Sequence, residues 1–139
     1  MKQLASLCLV FVLLNSCGKS TEKKADNRLG AQLYGGWMFT GSYYSIGGPE
    51  EWHPADTTGI SVIFAENGTL QTNGIYTGAN RYIMIDSTTV EIQPLPTEKG
   101  YARFSFKVTE NGNKLTLSPI DPACIEGCSS VFVRYLMID

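Results

Sequence analysis

The chain has 139 residues, 43% of them hydrophobic, which is enough for one domain with a modest core. With 11 Lys and Arg against 13 Asp and Glu its net charge is −2, so it offers no basic surface to track a phosphate backbone, and nucleic acid is not the expected partner.

The first element is Lys2 followed by an apolar run from Leu4 to Leu14 that only Ser6 interrupts. About 11 residues fall short of the roughly 20 that a transmembrane helix needs. The run leads into Leu14-Asn15-Ser16-Cys17: a branched apolar residue, then a small residue directly before a cysteine. This arrangement resembles the signal and lipobox of bacterial lipoproteins. The resemblance implies removal of residues 1–16, diacylation of Cys17, and attachment to the cell envelope through that lipid. The expected site is the outer membrane, facing the periplasm or the surface. Two acyl chains anchor stably where one is marginal. The plainer alternative is a secretory peptide with an incidental cysteine.

Residues 17–30 then form the lipidated cysteine and a tether, because GKSTEKKADNRLG is charged and has no apolar period to bury. Residues 31–139 form the folded domain. From Trp37 the pattern has period two, the mark of half-buried strands. The first predicted strand is 37–44, with Trp37, Phe39, Gly41 and Tyr43 on one face. A fourteen-residue loop, 45–58, carries Trp52 and His53. The second strand, 59–65, aligns Ile60, Val62 and Phe64, and Asn67-Gly68 closes a hairpin because it accepts the positive φ of a tight turn. The third, 69–77, aligns Leu70, Thr72, Gly74 and Tyr76. The fourth and fifth are 81–86 and 88–93, the latter ended by Pro94 and Pro96, which cannot donate to a ladder. The sixth, 101–109, alternates Ala102, Phe104, Phe106 and Val108 with Arg103, Ser105 and Lys107. Asn111-Gly112-Asn113 turns the chain into 114–118, and 130–138 is the last strand.

Short strands joined mostly by brief turns, with no helical period, predict an all-β fold. The expected architecture is an eight-stranded antiparallel up-and-down barrel, since closure removes exposed edges. A β-sandwich is the alternative. At the start of the first strand, Gly35-Gly36-Trp37 supplies a G-x-W. With the lipobox, the tether, a phenylalanine strand followed by Asn-Gly-Thr and a late Leu-x-Leu, the chain resembles small lipocalin-like lipoproteins of Gram-negative bacteria. The resemblance implies that Trp37 packs at the closed end of the barrel with Arg134, from the last strand, across its ring. It also implies a ligand cavity. Strands of seven residues at about 3.3 Å each give a wall of roughly 23 Å, so Trp37, Phe64, Phe104 and Phe106 could instead fill the interior.

Four cysteines are present. Cys8 leaves with the signal and Cys17 takes lipid, so Cys124 and Cys128 remain as an even pair in an oxidising compartment, read as a structural disulfide. A metal site needs two further ligands, and the chain has one histidine. No C-x-x-C opens a helix, no metal site is expected, and no cofactor motif is present. A hydrolase would use His53 as base, oriented by Asp56 or Glu51, but no serine sits in a nucleophile elbow. Carboxylate pairs such as Glu50 with Glu91 occur in any β protein. No catalytic residue is assigned, and the protein is not expected to be an enzyme.

The 45–58 loop is long for a hairpin connection, and long loops tend to carry function. It is expected over the open mouth of the barrel, where Tyr43, Trp52 and Tyr76 would contact a small, partly apolar ligand. Tyr43, Tyr44, Tyr76, Tyr82 and Tyr101 offer a candidate aromatic binding lining, of which half must point outward by alternation, the rest being more often core or rim than site. The alternative is a protein-interaction module, such as an outer-membrane accessory subunit or an enzyme inhibitor, acting through its loops.

Overall fold

A computed structural model of the chain describes residues 30–124 and 128–135. The expected signal, Cys17 and nearly all of the tether lie outside the described residues. Gly30, placed by sequence at the end of the tether, is buried, with Met84 filling the space where a side chain would stand.

The described residues form one all-β sheet of nine antiparallel strands: β1 (Gly35–Tyr44), β2 (Glu51–Pro54), β3 (Ser61–Phe64), β4 (Leu70–Asn73), β5 (Arg81–Met84), β6 (Thr89–Gln93), β7 (Ala102–Thr109), β8 (Lys114–Asp121) and β9 (Ser129–Tyr135). Their order is β4-β3-β1-β9-β8-β7-β6-β5, with β2 added beside β1. The two ends of this path meet at a bridge between Thr69 and Arg81, flanked by Leu70 N–H donating to Asn80 O and Tyr82 N–H to Gly68 O, both 2.9 Å. Eight strands therefore make a nearly closed up-and-down barrel, and the ninth is an addition to its wall.

Alternation decides which residues fill the barrel. In β7, Ala102, Phe104 and Phe106 are buried while Lys107 is exposed. Val62 and Phe64 of β3, Val90 and Ile92 of β6, and Leu115 and Leu117 of β8 are at most 1% exposed. Each such burial is worth roughly 1.5–3 kcal/mol. On the outer wall, Glu91 is covered because Arg103 Nε lies 3.0 Å from its carboxylate and Gln93 donates to it. Lys99 pairs with Asp121 at 2.7 Å.

One end is shut around Trp37. Its indole Nε1 donates to Leu33 O at 2.7 Å, and the Arg134 guanidinium lies 4.1 Å from the ring centroid. Arg134 in turn donates to the carbonyls of Gly112, Tyr34 and Gln32. One side chain thus ties the chain before β1 to the β7–β8 turn.

Three local readings change. The 45–58 segment is not one long loop: residues 51–54 form β2, because β1 has ten residues and β3 pairs with only its first half. Unpaired, the second half of β1 would be an open edge. The expected third strand stops at Asn73, because Gly74 (φ 75°) and Tyr76 (φ 51°) adopt left-handed backbone and turn the chain, so Tyr76 lies in a turn. In the Asn67-Gly68 hairpin only Gly68 takes positive φ, and Asn67 instead accepts the Thr69 N–H on its side chain. The last strand is described to Tyr135; residues 136–138 of the expected strand lie outside.

Candidate ligand-binding site

The end of the barrel opposite Trp37 is open, and a bulge in β1 determines what faces into it. Phe39 pairs with Phe132 but Gly41 pairs with Val131, so Thr40 is an extra residue. Such an insertion shifts the alternation by one. Before it, Trp37 and Phe39 face the core. After it, Gly41 and Tyr43 lie on the outer wall with Trp52, while Ser42, paired with Ser130, and Tyr44 face inward. The Trp52 ring lies against Gly41, where a Cβ would come 2.6 Å from it, and 5.0 Å from the Tyr43 ring.

Of the three residues expected to meet a ligand, Tyr43 and Trp52 pack against each other on the outer wall, with Trp52 42% exposed, and Tyr43 also borders the mouth cavity. Tyr76 faces the mouth, edge-on to Phe104 at 5.2 Å. Tyr44 and His53 stack at 3.7 Å beside a shallow hollow of about 160 Å³. Among the described residues His53 makes no ion pair with Glu51 or Asp56, and Glu91 is committed to Arg103.

The mouth holds a cavity of about 410 Å³, lined by Ser42, Tyr43, Tyr44 and Ser45, by Tyr76, Phe104 and Pro119, and by Cys128, Ser129 and Ser130. Its size is near the lower end of small-molecule sites, roughly 300–1,000 Å³. Below it the barrel is filled by Trp37, Phe64, Leu70, Ile92, Leu115, Leu117 and Phe132. Cys124 and Cys128 are joined by a disulfide, which fixes the chain entering β9 at the rim. Among the described residues no three His, Cys, Asp or Glu side chains cluster to hold a metal ion.

The Tyr76 hydroxyl is sealed from solvent and makes no full hydrogen bond, with the Ser130 side chain as its weakly interacting polar neighbour. Burial pushes its pKa well above the ordinary tyrosine range, against a smaller opposing effect of Ser130. Tyr82, at the closed end, is raised by burial first and by the nearby Tyr34 and Glu66 second, and it donates to Ala65 O at 2.6 Å. The contrast yields an expected result. Tyr76→Phe removes an unsatisfied buried group and should raise stability by about 1 kcal/mol, a gain of roughly 4–8 °C in melting temperature. Thermal unfolding followed by circular dichroism measures it, and a loss of similar size would mean that the hydroxyl is bonded in solution.

Tyr44 belonged to the candidate aromatic lining, whereas Ser42, Phe104, Pro119 and Ser130 were not singled out by sequence as lining residues. The usable signal was Gly41, since an isolated glycine in a strand often marks a bulge. Comparison with protein-family models, curated proteins and solved structures finds no match to this chain.

Proposed function

We propose that this domain is a non-catalytic binder of a small, partly apolar molecule. The ligand is held at the barrel mouth between Tyr44, Tyr76 and Phe104, on a protein lipid-anchored to the bacterial outer membrane through Cys17. The observation that carries the binding reading is the cavity of about 410 Å³ left open above an otherwise filled core. Aromatic walls with a few hydroxyls suit such a ligand, because binding sites combine apolar area with a small number of placed polar groups. The anchoring rests on the lipobox resemblance at Leu14–Cys17, and the kinship with lipocalin-like lipoproteins on the strand pattern and Gly35-Gly36-Trp37.

The test uses the full-length protein purified from its native membrane. The tether is cut, the domain is extracted with organic solvent, and stoichiometric small molecules are identified by mass spectrometry. A single recurrent compound supports the reading and names the ligand class. Labelling of cells with an alkyne fatty acid should mark the wild-type chain and not Cys17→Ser, and equal labelling of both would sink the anchor.

A second reading is favoured by the outer wall. Trp52 is half-exposed on a strand paired only on its β1 side, and Ile46 in the β1–β2 connection is 84% exposed. In this reading the domain docks a protein through that face, and a blank extraction together with a stoichiometric partner lost in Trp52→Ala would support it.

A further inference from the structure

The mouth cavity has an uncommon electrostatic character. Among the described residues its wall carries hydroxyls, aromatic rings, a proline and a disulfide sulfur, and no Lys, Arg, His, Asp or Glu. Two cations outside the wall are already engaged, Lys99 with Asp121 at 2.7 Å and Arg103 with Glu91 at 3.0 Å, and His53 stacks on the Tyr44 ring at 3.7 Å on the side of the adjoining hollow. An ionised ligand group entering this wall would lose its hydration without gaining a counter-charge, which is strongly unfavourable. The serine hydroxyls can donate or accept. The Tyr76 hydroxyl is buried behind the same wall beside Ser130, with no full hydrogen bond, and can turn from that neighbour to meet an acceptor in the cavity.

We infer that the cavity selects neutral ligands: an apolar or aromatic body bearing an uncharged hydrogen-bond acceptor, such as a carbonyl, ester or hydroxyl, and not a carboxylate, phosphate or amine. This rests on the binding reading above and narrows its chemistry. A free fatty acid or a phosphorylated metabolite is disfavoured by the same wall that admits its ester or alcohol. Specificity here comes from a wall whose described residues offer no charge to pair with, a penalty against the wrong ligand more than a reward for the right one.

The test compares matched probes at pH 7 on the full chain in detergent: methyl naphthoate, naphthoate and ethylnaphthalene. Binding is read from the amide shifts of Ser42, Ser45 and Ser130. The ester is expected to bind at least about tenfold more tightly than the acid, a clear margin on an affinity scale. Ser45→Lys places a cation at the rim, outside the strand ladder, and should reverse that order. The ester's advantage over ethylnaphthalene should vanish in Tyr76→Phe. Equal binding of acid and ester by the wild type overturns the neutral selection while leaving the binding site in place. An unchanged order in Ser45→Lys overturns the role given to the missing counter-charge, and an ester advantage that survives Tyr76→Phe overturns the role of that hydroxyl. If no probe moves the mouth amides up to its solubility limit, both this inference and the binding reading fall.

Discussion

Trp37→Ala is expected to unfold the domain at physiological temperature. The indole is wholly buried, its N–H is bonded to Leu33 O at 2.7 Å, and Arg134 covers one face at 4.1 Å. Truncating a buried aromatic costs about 3–5 kcal/mol, a large share of the roughly 5–15 kcal/mol that holds a typical domain together. Further cost arises here because Arg134 would lose the ring that orients it while three carbonyls depend on its guanidinium. Urea unfolding followed by circular dichroism gives the number, and a loss under about 1 kcal/mol would refute the role given to this side chain. Trp37→Phe keeps the ring but orphans the Leu33 carbonyl, so an intermediate loss of about 1–3 kcal/mol is expected. A double-mutant cycle with Arg134→Met should return a coupling of roughly 1–2 kcal/mol for the cation over the ring.

Gly41→Ala is the second large effect, and it is local. Gly41 has φ of 153°, and a Cβ there would run into the His53 carbonyl oxygen and the Trp52 ring. The carbonyl is backbone and cannot swing aside, so the β1–β2 ladder must part. Overpacking of this kind costs about 1–3 kcal/mol. The expected signature is a red-shifted Trp52 emission more open to acrylamide quenching, with Trp37 still protected. Gly48→Ala is the control: nothing lies within 4 Å of its added carbon and its φ is not positive, so stability should stay within about 0.5 kcal/mol of wild type. Similar losses in both variants would show that the close approach at Gly41 does not matter.

These two positions also mark what the sequence could and could not convey. Trp37 was legible because a large aromatic beside glycines opens a regular alternation, and the alternation of Phe104 and Phe106 with Arg103 and Ser105 follows directly from one face being buried. The barrel follows from such strands and their short turns. The mouth was legible only in part, through its tyrosines, for reasons of parity. One extra residue at Thr40 exchanges the faces of β1, so Tyr43 went to the exterior and Tyr44 to the interior, although both are tyrosines in the same strand. Tyr76 was expected on a strand and lies in a turn, yet it still reaches the mouth because the turn itself borders the cavity. The strand character of residues 51–54 was hidden by its shortness and by Pro54, and it exists only because β1 leaves half an edge unpaired.

The pairing of β1 with β9 carries a kinetic consequence. The Arg134 side chain reaches Tyr34 O across a sequence separation of 100, and Thr40 reaches Val131 O across 91. Until β9 is in place, β1 and β8 each present a raw edge, the arrangement most prone to pairing with a neighbouring molecule. Loop-closure entropy must be overcome before those distant contacts return anything, so a topology of this contact order folds on a timescale of roughly milliseconds to seconds. A chain emerging from its N-terminus therefore holds an unfinished barrel until its final strand is out, and the ladder that abolishes the edges in the native state is the last part that can form.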